Sequence, residues 1–442
     1  MSFPGPSLME WPTGVRRAFP LVIGGVALGA ALTPALVAGV GVRAIRGARP
    51  RPQTMIMASL AASGVYAGAR IARRRFVRKT RDAARVIDPG FQQPPSSSLV
   101  STGPGSLVAD RGIGREGARY VGTATTEGDV SFVTGLRAIC EPIRVFVGLD
   151  AAATVAERVE LAMAELRRTD AFERGHLLVQ APAGTGYANS TPVDVVEILA
   201  LGDCASVAVG YGLLPSFLSL NRVQLARETQ AALLEAIAKE CRHRTDRPRI
   251  LLYGESLGAK VQQGAMPAGV VDLDRLEIDR ALWVGTPGGK DYDDVHRLFA
   301  QVSVTIDRPE QLPLSADNHT RVWFLEHDGD PVVRFRPDLA FARPAWLAHG
   351  SIRGRGIPEG MRWRPAMTWA QVLVDTVYAT NVSPGDFHSA GHDYRADLGA
   401  VVTAAYGLSD ARFAAGWQVR LEQRLREIEV RRAERISGEN AS

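Results

Sequence analysis

Between Arg249 and Lys260 the chain reads Arg-Ile-Leu-Leu-Tyr-Gly-Glu-Ser-Leu-Gly-Ala-Lys. An apolar run, Ile250 to Tyr253, stops at Gly254-Glu255-Ser256-Leu257-Gly258 and passes into a helix-like segment. A G-x-S-x-G set between a buried strand and a helix forces a sharp turn whose serine takes strained backbone angles. The flanking glycines are required because a side chain there would collide with the neighbouring strand or helix. Ser256 Oγ is then held out at the end of a sheet, with the N-terminus of the next helix aimed at it. In a chain with 44 glycines the pattern alone carries little weight; the strand–turn–helix context carries it.

A chain of 442 residues, 46% of them hydrophobic, is long enough for one large core and an accessory segment. The net charge is +5. The positive charge concentrates near the N-terminus beside apolar segments, which fits anionic lipid headgroups better than nucleic acid. No nucleic-acid-binding signature and no solenoid repeat is present. The three cysteines, Cys140, Cys204 and Cys241, are widely spaced and odd in number, so neither a disulfide framework nor a metal cluster is implied.

Residues 18–42 carry no charge, and a helix of that length crosses a bilayer core of about 30 Å. A second uncharged span, Pro52 to Ala69, within a candidate helix of about 54–72, draws its force from Met55, Ile56, Met57, Leu60 and Val65. Small residues on both would let two helices pack closely. The favoured reading is a transmembrane hairpin; one span plus an interfacial helix competes with it. A signal peptide fits less well, because the apolar stretch starts late, is long and lacks a clear cleavage site. Arg16 and Arg17 precede the first span and seven Lys or Arg from Arg70 to Arg81 follow the second, more than the four arginines between them. That balance favours both ends, and the domain that follows, on the cytoplasmic side of the cell membrane.

Four segments are expected: a membrane region 1–87, a flexible Pro-, Ser- and Gly-rich linker 88–116, a catalytic domain 117–408 and a charged C-terminal helix 409–442, solvated and ion-paired. Within 117–408 apolar strands alternate with helices. Strands are predicted at Ile143–Val147, His176–Gln180, Cys204–Val209, Ile250–Tyr253, Ala281–Val284 and Val322–Leu325. Helices are predicted at Thr154–Arg168 and Arg222–Cys241. Near-continuous apolar strands separated by helices indicate a mostly parallel sheet covered on both faces, with its chemistry beyond the carboxyl ends of the strands.

A serine hydroxyl needs a base, and the base needs an orienting carboxylate. The strand Val322–Leu325 leads into His327-Asp328-Gly329-Asp330-Pro331, where Asp330 is the preferred acid and Asp328 the runner-up. The base belongs on a late loop before a final helix. His388 and His392 both lie there, and Gly391 before His392 favours the latter. An oxyanion would be met by the Leu257 amide and by that of Ala183 or Gly184, in the turn Pro182 to Tyr187.

Taken together, Pro142 to Leu149, Gly184-Thr185-Gly186, Tyr211 to Ser216, Gly254 to Ala259, Asp330 to Val333, Pro337-Asp338-Leu339 and Gly391-His392-Asp393-Tyr394 resemble, from about Gly117 to Leu398, a bacterial membrane-associated α/β-hydrolase family. In that family a membrane-spanning N-terminal region precedes the catalytic domain. The resemblance implies an α/β-hydrolase fold and a triad of Ser256, Asp330 and His392. The sequence departs from the pattern at Ala183 and Tyr187, where Thr and Trp are expected, and at Arg334-Phe335, where two aromatics are usual. These positions flank the expected substrate pocket and put substrate choice in question.

The reading that follows is a membrane-anchored serine hydrolase, without cofactor or metal, cleaving carboxylic esters or thioesters of lipid-like substrates. Residues 335–369, rich in aromatics (Phe341, Trp346, Trp363) and arginine, are placed to cap the site and receive an acyl chain. Two other readings stand beside it: an acyltransferase on the same triad, and a catalytically silent binding module tethered to the membrane.

Overall fold

Short runs of Val, Ile, Leu and Ala, buried on both sides, become the strands, and amphipathic stretches between them become the covering helices. The computed structural model describes residues 71, 74–75, 78–213, 223–289, 291–313, 319–379 and 385–438. Contacts divide the chain into two compact units at Arg85–Val86. In the larger, the strands are β1 (Ile143–Val147), β2 (His176–Ala181), β3 (Cys204–Val209), β4 (Arg249–Glu255), β5 (Arg280–Val284), β6 (Ser303–Ile306) and β7 (Val322–Leu325). They form one sheet in the order β1-β3-β2-β4-β5-β7-β6, with every pairing parallel. All strands therefore end on the same side, and β4, which carries Ser256 at its tip, lies in the middle.

Alternate residues of each strand serve opposite faces. Tyr253, Leu251 and Leu282 pack with helices α1 (Asp110–Val121), α2 (Glu127–Thr134), α4 (Ser190–Leu199), α11 (Arg395–Tyr406) and α12 (Trp417–Ser437). Leu252, Ile250 and Trp283 pack on the other face, with α3 (Val155–Arg168), α5 (Val223–Cys241), α6 (Leu257–Gly264), α7 (Val270–Arg275) and α8 (Tyr292–Phe299). Two further helices, α9 (Pro331–Arg334) and α10 (Met367–Ala379), follow β7. Local chemistry sets the ends. At α3, Thr154 accepts the Glu157 amide at 3.2 Å and Glu157 accepts the Thr154 amide at 2.8 Å, a reciprocal cap.

The sequence expectations meet this fold unevenly. The six expected strands form, with ends moved by at most two residues, and β6 joins them at the edge. Residues 88–116 are not a loose linker. Four of their sparse apolar side chains, Phe91, Val100, Val108 and Ile113, are buried, while Leu107 is exposed. The backbone at Leu99–Ser101 pairs with β1: Ser101 N–H donates to Arg144 O at 2.9 Å and Arg144 N–H to Leu99 O at 3.3 Å. The turn-rich composition supplies bends, while the free edge of β1 supplies partners. Helix α12 is likewise not fully solvated. Leu421, Leu425 and Ile428 bury one stripe of it, and the Arg435 guanidinium lies 4.2 Å over the Phe91 ring. Both expected membrane spans, 18–42 and 54–72, lie outside the described residues except for Ile71, as do Leu214-Pro215-Ser216 and Arg222. No helix among the described residues is long and apolar enough to cross a membrane.

A chain of buried charges ties the helical flank to the sheet. Arg144, on the edge strand β1, is fully buried and meets Asp194 at 2.7 Å and Glu197 at 2.5 Å, both from α4. Arg432 of α12 bridges Asp194 at 2.9 Å and Glu429 at 2.6 Å. Arg395 joins Glu429 at 2.7 Å to Asp393 at 2.8 Å. Removing one member of such a set strands its partners in a dry interior. Arg144→Met is expected to lower the unfolding free energy by about 3–5 kcal/mol, read from the urea midpoint by tryptophan fluorescence; a midpoint equal to the wild type's would contradict this account of the network.

Candidate active site

The end of β4 is crowded enough to dictate its own residues. A Cβ at Gly254 would lie 2.7 Å from Ala259 Cα, and one at Gly258 would lie 2.2 Å from the Ala181 carbonyl oxygen. Both glycines are thus demanded by the helix returning across β4 and β2. Between them Ser256 takes φ 53° and ψ −124°, a region disfavoured for any residue with a side chain. Its amide donates to Val284 O at 2.8 Å, which fastens the turn to the end of β5. Leu257 opens α6, so its N–H is one of the first-turn donors without an intrahelical acceptor.

The neighbouring residue Glu255 does not face open solvent alone. Its Oε2 accepts the Tyr253 hydroxyl at 2.7 Å and the Asn189 side-chain amide at 2.7 Å. Glu255 thereby joins β4 to the start of α4, close enough for its charge to reach His392.

Asp330 lies in the turn after β7 and is fully buried. Its Oδ1 accepts the Val332 amide at 2.8 Å, capping α9, where Pro331 starts the helix without a wasted donor. Its Oδ2 accepts two hydrogen bonds: His392 Nδ1–H at 2.7 Å and the Tyr394 hydroxyl at 2.6 Å. The competing acid, Asp328, turns away and pairs with Arg334 at 2.5 Å.

His392 sits at the tip of a tight turn closed by reciprocal bonds between Ala390 and Asp393, each 3.1 Å. Gly391 allows that turn with φ +60°. The imidazole packs against Gly285, at the end of β5, where an added Cβ would come within 2.9 Å of His392 Cε1. Because Val284 holds the Ser256 amide, His392 and Ser256 are both anchored to the tip of β5. Burial disfavours the charged ring, but the Asp330 carboxylate outweighs it and raises the His392 pKa above the ordinary histidine value, with Glu255 adding to the lift. With Nδ1–H committed to Asp330, Nε2 is left as the basic nitrogen. His388, the other expected base, is exposed and lies 4.0 Å from Asp386.

The glycine-rich turn after β2 is pinned by Tyr211, whose hydroxyl donates to Pro182 O at 2.7 Å. The Ala183 amide donates to Tyr187 O at 2.7 Å. Ala183 is thus already engaged, and of the two loop donors expected for an oxyanion, the Gly184 amide is the one without such a bond among the described residues.

Three residues of this neighbourhood were not assigned a role from the sequence: Tyr394, which shares the Asp330 oxygen with His392; Glu255; and His327, buried against Tyr394 with ring centroids 3.9 Å apart. Only the spacing of Tyr394, two residues beyond His392, gave any signal. The contacts of His327, and that of Glu255 with Asn189, cross between distant elements and leave no local pattern. No metal-binding group of three or more His, Cys, Asp or Glu occurs among the described residues.

No curated protein matches the sequence. A solved acetylxylan esterase, determined at 0.90 Å resolution, aligns at 15% identity over 36% of this chain and 85% of that one, with a TM-score of 0.24. The sequence matches the model of the Alpha/beta-hydrolase family over residues 143–415, more than half of its length and the whole stretch from β1 past His392, and the chain belongs to that family.

Proposed function

We propose that the protein is a serine hydrolase that cleaves carboxylic ester or thioester bonds through an acyl-enzyme. The observation that carries this reading is the buried Asp330–His392 pair lying over the tip of β5, beside a strained Ser256 at the tip of β4. In the proposed cycle His392 Nε2 takes the Ser256 proton as Oγ attacks the substrate carbonyl. The new oxyanion is met by the amides of Leu257 and Gly184. The imidazolium, held in place by Asp330, gives its proton to the leaving group. Water then attacks the acyl-enzyme with His392 as base again, and Ser256 is released.

Lipid-like substrates and a membrane anchor belong to the same proposal. The segment after Asp330 exposes large apolar side chains, Phe341 at 86% and Ile352 at 96%, beside arginines such as Arg343, which lies over the Trp363 ring. A surface of this kind suits an acyl chain with an anionic headgroup. The uncharged span 18–42 and the basic flanks place the domain at the cytoplasmic face of the cell membrane in this reading. Acyl transfer to an alcohol uses the same residues, and a panel of esters and thioesters of graded chain length, with and without added alcohol, separates it from hydrolysis.

A fluorophosphonate probe is expected to label the full chain at Ser256, and Ser256→Ala to abolish labelling and lower ester hydrolysis by about 10⁴-fold or more. A folded wild-type protein that does not label would favour the silent binding module instead. The pH dependence has a definite sign. The base works when His392 is neutral, so activity falls as pH drops through its raised pKa. Asp330→Asn removes the charge that raises it and leaves the burial that lowers it. The acid limb of kcat/KM should therefore move to lower pH, with a maximal rate lower by about 10⁴-fold; a limb that stays in place would show that another group controls it.

A further inference from the structure

His327 lies two residues beyond Leu325, the last residue of β7, and is buried at 2% exposure. Both of its ring nitrogens meet oxygen atoms. Nδ1 lies 2.8 Å from the Gly391 carbonyl and Nε2 lies 2.7 Å from Asp397 Oδ2, at the first turn of α11. Turning the ring over would exchange these nitrogens for carbons and lose both bonds, so the ring orientation is settled by its partners. A carbonyl has no proton to give, so Nδ1 carries a hydrogen. Asp397 Oδ2 already accepts the Ser389 hydroxyl, and an ionised carboxylate is an acceptor only. Nε2 is then a donor as well.

We propose that His327 is a positioning residue of the catalytic loop, working as a doubly protonated ring locked between the Gly391 carbonyl and the Asp397 carboxylate. Gly391 immediately precedes His392, so the bond at Nδ1 fixes the peptide that aims the base. The bond at Nε2 fastens that peptide to α11. The same residue reaches the acid as well: its backbone N–H donates to the Tyr394 hydroxyl at 3.1 Å, and that hydroxyl donates to Asp330. One residue thus holds both members of the Asp330–His392 pair, from a side away from the pair's own contact. The charged and titratable groups around the ring are Asp397, Tyr394 stacked on its face, Asp330 beyond that hydroxyl, Glu326 next in the chain, and Arg355, which donates to Ser389 O at 2.6 Å.

The proposal rests on the serine-hydrolase reading for its rate effect but not for its protonation state, and the two are tested apart. In the full chain, fluorophosphonate kinetics separate probe binding (KI) from attack (kinact). His327→Asn keeps an N–H donor but loses the span from Gly391 to Asp397, and it is expected to lower kinact by about tenfold or more while leaving KI unchanged. Wild-type kinact in a folded His327→Asn protein would overturn the positioning role. Independently, nitrogen-15 spectra of the histidine-labelled full chain should contain a ring with both nitrogens protonated that is lost in His327→Asn. Asp397→Asn, which offers an N–H to Nε2, should convert that ring to one with a single protonated nitrogen. Absence of a doubly protonated ring in the wild type, or one unaffected by Asp397→Asn, overturns the proposed state. Failure of the wild type to label at all would count against the chemistry of Ser256 and leave the spectral result standing.

Discussion

The buried line of charges from Arg144 to Asp393 is the interaction on which the helical flank of this molecule depends. It alternates sign along its length: Glu197 and Asp194 with Arg144, then Arg432, Glu429, Arg395 and Asp393. Apolar side chains of similar volume would bury this surface about as well. What they would not supply is direction. Each guanidinium is a planar fork with fixed donor angles, so α4, α12 and the loop before α11 each meet their neighbours in one register. The last link matters most for chemistry. Arg395 grips Asp393 with two nitrogens, at 2.8 and 3.0 Å, and Asp393 is the residue next to His392. Glu429, on a helix beyond residue 415 where the family match ends, holds that arginine in turn.

The site is assembled from strand ends because a parallel sheet delivers all its carboxyl ends to one rim. The tips of β2, β4, β5 and β7 bring, respectively, the Pro182–Gly186 turn, Ser256, the Gly285 shelf and Asp330. Each arrival is secured by backbone geometry rather than by side-chain choice alone. Gly258 must lack a Cβ for α6 to pass Ala181, Gly285 (φ +55°) makes room for the His392 ring, and Gly391 lets its turn close. His392 itself arrives from outside the sheet, on a loop, and is the member that needs the most bracing.

This division explains what was legible in the amino-acid order. The six apolar runs became strands because burial on two faces leaves a mark in every residue. Ser256 was legible because its turn tolerates so few residues. The candidate acid and base were legible only as alternatives, Asp330 or Asp328 and His392 or His388, because a turn aspartate and a loop histidine look the same whatever they face. Geometry separates each pair: Asp328 goes to Arg334, and His388 goes to solvent. Strand β6 was not legible because Ser303-Val304-Thr305-Ile306 is short and half apolar, an edge strand with one neighbour. Residues 88–116 read as a linker because their few apolar side chains are scattered among turn formers, and only the open edge of β1 tells what they cover. The packed stripe of α12 was hidden by the density of Arg and Glu around it.

Asp330 shows how finely such a site must be balanced. A carboxylate with no exposure is ordinarily expensive to keep charged, yet the role proposed for Asp330 requires the charge. Three donors meet its oxygens: the Val332 amide, the Tyr394 hydroxyl and His392 itself. Tyr394 shares one oxygen with His392, so it draws on the same electron density that makes the imidazole basic. Burial first, and then the neighbouring Asp330 charge, raise the Tyr394 phenol well above its ordinary pKa, so it stays a neutral donor. In the proposed cycle a stronger acceptor at Asp330 would make His392 hold its proton too tightly to return it to a leaving group. A weaker one would leave the ring unaligned. A neutral phenol stands between Asp330 and the backbone of His327, supplied by a residue only two positions beyond His392, in a turn already closed by its own backbone.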